Sequence, residues 1–272
     1  MSGAIYAELR RSLLAGEPVG LVTVTAVTSD AELTTALGAK LLVHIEGPAW
    51  GTLGDSELDR VVARDATAML ERGVTGTRHY GVRGEARRED VETFIESFVS
   101  PSRLVIFGAV DFSRALVEVG KIIGFNVTVC DARAVFATSA RFPLADEVVV
   151  EWPDSYLERV GPTLGPRDAV CVLTHDTKFD VPAILGALQS SVGYIGAMGS
   201  RRTHELRWTR LLEAGASESA LRERLMSPIG LGVGSRTPEE TAVAICAEII
   251  AVRSGRAGHL MAPLRDGTGP IH

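Results

Sequence analysis

The sequence predicts an α/β chain: a parallel sheet with helices on both faces over residues 101–255, preceded by a smaller α+β domain over residues 1–100 and followed by a tail, 256–272. Three observations carry that expectation. From Leu104 onward, short apolar runs alternate with stretches of helical periodicity, the pattern of a parallel sheet built from βα units. Before Pro101 strands and helices mix without that alternation. The stretch Arg103 to Arg133 reads as strand, tight turn, helix, strand and acid, the first half of a dinucleotide-binding βαβ unit.

In that unit Leu104 to Phe107 is the first apolar run and Gly108 the turn. Leu116, Val119, Ile122 and Ile123 recur at helical spacing until Gly124. Phe125 to Val129 is the second run, and Asp131 stands where the ribose-binding acid is expected, about 20 positions past the turn. The glycine fingerprint is incomplete. Val110 and Ser113 occupy the second and third glycine positions, and Asp111 adds a negative charge where an anion would dock. The spacing therefore predicts the fold, while the turn speaks against an ordinary NAD(P) pose.

The remaining elements follow in order. Ile5 to Leu14 reads as an amphipathic helix stopped by Gly16, and Pro18 to Thr28 and Ala39 to Ile45 as strands around a polar loop, Ser29 to Gly38. The glycine-punctuated segment around Trp50 reads as a turn, with Trp50 as a packing residue. Asp55 or Ser56 caps a helix that runs to Gly73. Thr75 to Gly84 and Val91 to Val99 read as strands. Past the βαβ unit the expectation is a strand over Glu147 to Trp152, a short helix from Pro153, and a strand over Asp168 to Leu173. Next come a helix over Val181 to Leu188, a strand over Gly193 to Met198, helices over Arg201 to Glu213 and Ser217 to Met226, and a last helix over Thr237 to Val252.

The 272 residues carry a net charge of −6, with 46% hydrophobic and 23% charged residues, a soluble composition without a basic stripe. That speaks against nucleic acid as partner. No apolar run reaches membrane-spanning length, and the start lacks a secretory h-region. Three cysteines, Cys130, Cys171 and Cys246, stand far apart, which suits a reducing cytoplasm rather than a disulfide framework or a metal site.

Ligands of parallel α/β sheets lie outside the carboxyl ends of the strands. Four segments end strands here, and their polar residues are expected in one crevice: Gly108 with Asp111; Asp131 with Arg133; His175, Asp176, Lys178 and Asp180; and Gly199, Ser200, Arg201 and Arg202. His175, Asp176 and Lys178 read either as a polar loop capping the next helix or as ligand-binding and proton-transfer groups, with metal binding a third alternative. Gly199 to Arg202 reads as an anion site, because a helix start with two arginines combines free N–H groups and bidentate donors, or as a solvated helix start. Thr237-Pro-Glu-Glu240 reads as a capping box, with Thr237 also a candidate ligand contact.

These segments, in this order, resemble the xanthine dehydrogenase accessory factor family (XdhC/CoxI). The resemblance rests on RLVIFGA, the strand ending CDAR, LTHDTKFDVPAIL, GYIGAMGSRRTH and SPIGLGVGSRTPEETAVAICAEI, with GAKLLV and GTLGDSELD matching more weakly. It implies a small N-terminal domain before a Rossmann-like C-terminal domain, and commonly a homodimer. It further implies binding of the molybdenum cofactor (molybdopterin), support of its sulfuration, and delivery to a xanthine dehydrogenase-type molybdenum hydroxylase, with a cysteine desulfurase as a further partner. The cofactor-binding residues expected on this reading are Gly108, Asp131, Arg133, His175, Asp176, Lys178, Gly199, Ser200, Arg201, Arg202 and Thr237. The chain departs from the family pattern in having no cysteine before Cys130 and Val110-Asp111 at the turn. The rival readings are an NAD(P)-dependent oxidoreductase and a regulatory paralogue that binds no cofactor.

Overall fold

A computed structural model describes residues 2–28 and 35–255. The segment 29–34 of the predicted polar loop and the predicted tail 256–272 lie outside the described residues. The chain divides into two compact units, Met1–Ser100 and Pro101–His272.

The first unit holds α1 (Ser2–Ala15), β1 (Val19–Val27), β2 (Lys40–His44), β3 (Trp50–Thr52), α2 (Ser56–Arg72), β4 (Gly76–Tyr80) and β5 (Val91–Phe98). The strands form one antiparallel sheet in the order β3-β2-β1-β5-β4. Alternation along β1 and β5 sends Val22, Val24, Val91 and Ile95 to the face that α2 covers with Leu58, Val62, Ala66 and Met69. On the other face Ile5 and Leu9 of α1 pack on Val19, Leu21 and Leu42. Asp55 caps α2 by accepting from the N–H groups of Glu57 and Leu58. The expected turn around Trp50 is in fact an edge strand, and Trp50 is 43% exposed rather than packed.

The second unit holds β6 (Arg103–Phe107), α3 (Asp111–Ile122), β7 (Asn126–Cys130), β8 (Glu147–Val149), α4 (Pro153–Val160), β9 (Ala169–Val172), α5 (Thr177–Gln189), β10 (Tyr194–Ala197), α6 (Arg201–Glu213), α7 (Glu218–Arg224), β11 (Leu225–Met226) and α8 (Pro238–Arg253). Its six strands are all parallel, in the order β11-β10-β9-β6-β7-β8. Neighbouring residues of β6 face opposite ways. Leu104 and Ile106 meet Leu116 of α3 and Ile245 and Ile249 of α8. Val105 and Phe107 meet Tyr156 and Leu157 of α4 and Ala183 and Ile184 of α5, with Leu211 of α6 in the same layer. A sheet buried on both faces explains why its strands read as unbroken apolar runs.

Two expectations for this unit are corrected. The strand from Glu147 ends at Val149 rather than Trp152, because Pro153 opens α4 and the chain must leave the sheet first. The helix over Ser217 to Met226 stops at Arg224, and Leu225 and Met226 pair with Ile195 and Gly196 as an edge strand. The element that follows β6 crosses on one face, and the one that follows β9 crosses on the other. The adjacent pair β6 and β9 is therefore the topological switch point, where parallel sheets open a crevice.

Candidate functional site

At the switch point the turn after β6 meets the loop after β9. Gly108 has φ +108°, and a Cβ there would lie 2.7 Å from Thr174 Cγ2 and 3.1 Å from its backbone nitrogen. Only glycine fits this place. Ser113, at the third fingerprint position, is buried, and its hydroxyl donates to the Gly108 carbonyl. Gly120, further along α3, supplies the close approach to β6: a Cβ there would lie 2.8 Å from Leu104 Cδ2.

Asp131 closes this turn. Its Oδ2 accepts from Ala109 N–H at 2.8 Å and from Arg133 Nη2 at 2.7 Å. Its Oδ1 accepts from Arg133 N–H and Nε, both at 2.9 Å. The side chain is 3% exposed. Burial pushes its pKa up, but the Arg133 guanidinium and the Ala109 and Arg133 amides outweigh burial and hold the carboxyl below the usual range. A ribose diol would have to displace Arg133 to reach it.

Arg133 is stacked as well as paired. Its guanidinium carbon lies 4.6 Å from the Phe136 ring centre and 5.6 Å from that of Phe179, and Trp152 lies 4.9 Å beyond Phe179. Arg141, which the sequence reading did not single out, lies 5.6 Å from the Phe136 ring and donates from Nη1 to the carbonyls of Ala109 and Phe136. No periodicity marks Arg141, since it sits in an irregular loop.

The loop after β9 divides its polar residues. His175, Asp176 and Lys178 lie on its outer side, with Asp176 and Lys178 about half exposed. Asp176 caps α5 by accepting from Lys178 N–H at 3.1 Å, and Lys178 Nζ returns to it at 3.4 Å. Asp180 does not face the crevice as expected. It is 1% exposed and ion-paired at 2.8 Å with Arg207, itself 1% exposed. Thr174 donates to the same carboxylate. Arg207 also donates to the Met198 carbonyl at 2.7 Å and to Ser227 Oγ at 3.4 Å. Sequence reasoning missed this residue, although its position four before the core residue Leu211 puts a charge on the buried face of α6.

Gly199 has φ +152° and a Cβ there would press within 3.1 Å of Thr203. Ser200 caps α6, its hydroxyl accepting from Thr203 N–H at 3.1 Å. Arg202 is exposed, and Arg201, the first helical residue, is described in its backbone alone. Thr237 forms a complete capping box with Glu240, each accepting at 3.2 Å from the other's backbone N–H. The structure thus joins Asp131 and Arg133 by direct contact, ties Asp131 to the Gly108 turn through Ala109 N–H, and hangs the Gly199 turn on the Asp180–Arg207 pair. Thr237 has no hydrogen bond to the other candidates among the described residues.

All three cysteines are buried and free. Burial pushes the thiols of Cys130 and Cys246 up to about 12, and that of Cys171 well above the usual range. Among the described residues no group of three potential metal-binding side chains comes together, and no helix is long and apolar enough to cross a membrane.

The second unit is thus a doubly wound domain whose dinucleotide turn is closed by its own acid. The family described as the XdhC Rossmann domain matches residues 104–249, more than half of the chain, and the XdhC and CoxI family matches residues 12–81. The chain belongs to the XdhC family. It is 34% identical over 160 residues to a protein of Bacillus subtilis described as a probable xanthine dehydrogenase subunit, covering 59% of this chain and 46% of that one. It is also 34% identical over 85 residues to the molybdenum cofactor insertion chaperone PaoD of Escherichia coli, covering 31% and 26%. These matches span less than half the length of either relative. A solved structure described as a xanthine dehydrogenase from Bacillus halodurans shares the fold, with a TM-score of 0.54 at 20% identity over 94% of this chain and 97% of that one.

Proposed function

We propose that this protein is an accessory factor that holds the molybdenum cofactor at the carboxyl edge of its parallel sheet and passes it to a xanthine dehydrogenase-type hydroxylase. The observation that carries the reading is a dinucleotide turn that is closed to the usual pose yet rimmed by arginine. Ala109 N–H is taken by Asp131, while Arg133, Arg141 and Arg202 remain partly or fully exposed at the strand ends. Membership of the XdhC family and similarity to a cofactor insertion chaperone support it.

The residues fit one end of such a cofactor. Guanidinium groups and the Gly199–Ser200 helix start suit a phosphate, and His175 and Lys178 on the neighbouring loop supply further donors. When bound, the cofactor would supply a molybdenum centre for the partner's chemistry. A soft thiolate ligand for that metal is not on offer, since each thiol is buried and held protonated at neutral pH. The chain's own part is then to bind and shield, and sulfur would come from a separate cysteine desulfurase.

Native mass spectrometry of protein purified from its own host tests this directly. The expected result is a bound pterin whose release activates the apo-hydroxylase. Changing Arg201 and Arg202 together to Ala should weaken cofactor binding by roughly 2–4 kcal/mol, taking each charged hydrogen bond at about 1.5–3 with partial compensation. Protein that carries no pterin and activates nothing would end the proposal.

A further inference from the structure

We propose that Arg141 is a phosphoryl-binding group at the strand ends, standing in for the close backbone approach that the missing second fingerprint glycine would have allowed. The inference deepens the function proposed above and rests on that reading for its ligand, a phosphate-bearing molecule. Its evidence is the arrangement of two arginines on one aromatic stack.

Phe136 contacts both, its ring centre 4.6 Å from the Arg133 guanidinium and 5.6 Å from that of Arg141. Arg141 also lies 5.6 Å from Phe142. Stacking of this kind fixes a guanidinium plane in advance, so less freedom is lost when a ligand arrives. The two arginines differ in charge balance. Arg133 is neutralised by Asp131, a buried carboxylate that takes Nε and Nη2 at 2.9 and 2.7 Å. Arg141 has no such partner. Its Nη1 contacts are carbonyls, at 3.1 and 3.3 Å, and its carboxylate contact is Asp111 at 3.6 Å, with a side chain 92% exposed. A solvated pair at that distance is weak, so Arg141 keeps most of its charge.

Position completes the argument. By reaching back to the Ala109 carbonyl, Arg141 sets a cation on the turn beside Gly108, where the fold would bring a diphosphate. The planar fork of arginine matches two phosphoryl oxygens at once. Asp111 is then a displaceable counter-charge: an incoming anion takes over its place on Nη2, and the exposed carboxylate turns away into water.

Titration calorimetry of the full chain with inorganic pyrophosphate tests this. The parent should bind, and Arg141→Ala should bind at least about tenfold more weakly, since a charged hydrogen bond is worth that much. Asp111→Asn should bind several-fold more tightly, a gain that a purely structural role for Arg141 would not produce. Arg60→Ala, at an exposed arginine of α2 paired with Glu57, should bind as the parent does. Circular dichroism checks that Arg141→Ala is folded; if it is not, Arg141→Lys, with its charge kept but its fork lost, and Asp111→Asn decide the matter. No binding by the parent, equal binding by Arg141→Ala, no tightening in Asp111→Asn, or loss in Arg60→Ala would each overturn the inference. Pyrophosphate binding that follows Arg141 in a protein that never carries a pterin would count against the proposed function alone. A pterin carried equally well by Arg141→Ala would count against this inference alone.

Discussion

Asp131 shows how one carboxylate can redirect a familiar site. It stands where a ribose-binding acid belongs, yet its oxygens serve Ala109 and Arg133. Calorimetry with NAD and NADP should therefore show nothing tighter than roughly millimolar, about −4 kcal/mol; a micromolar affinity abolished by Asp131→Ala would refute this. Because its folded pKa is depressed, Asp131 stabilises the fold above its unfolded pKa, and that contribution is lost as pH falls through the folded value. In a melting series from about pH 5 to about pH 2, the Asp131→Asn variant should lose less stability on acidification than the parent. Gly108→Ala should cost several kcal/mol, on the order of a large-to-small core change, because strain at φ +108° adds to the clash with Thr174. Spacing made Gly108 and Asp131 legible in the sequence. Arg133 was named beside it, but not as its ion-pair partner, since a pairing between residues two apart in an irregular loop leaves no periodic trace. Arg141, 32 positions from Ala109 in the chain, was equally hidden.

Elements long enough to repeat their pattern could be read directly. The twelve residues of α3 and the nine of β1 show their apolar faces in the sequence. The three residues of β3 and the two of β11 cannot, because an edge pairing that short is set by the neighbour rather than by its own alternation. Capping is the most local signal, and Asp55, Ser200 and Thr237 are all caps. Thr237→Ala should lower stability by about 1 kcal/mol in urea titration while leaving cofactor binding untouched; a binding loss without a stability loss would return Thr237 to the ligand site. Replacing Arg201 and Arg202 should leave the melting temperature of ligand-free protein unchanged or slightly raised, since cations at a helix start oppose its dipole.

At the scale of the molecule, the proposed ligand groups gather on one edge of the parallel sheet, and the three cysteines are buried, Cys130 at the carboxyl end of β7 among them. Elemental analysis after dialysis against chelator is expected to find no stoichiometric zinc. The antiparallel unit was legible as a mixture of strands and helices, but not the order β3-β2-β1-β5-β4, because pairing between distant strands is decided by packing that no local pattern records. In the parallel unit a single guanidinium, that of Arg207, ties the first turns of α5, the carbonyl just before Gly199 and the turn at Ser227. Three stretches of chain far apart in sequence thus share one knot. Their backbone amides should exchange with deuterium through one common opening, with similar protection free energies and a matched response to denaturant. Cutting the knot with Arg207→Ala should cost about 3–5 kcal/mol and make the three stretches exchange independently. What would be lost first is their synchrony: a rim expected to open and close as one gate would become three loops, each keeping its own time.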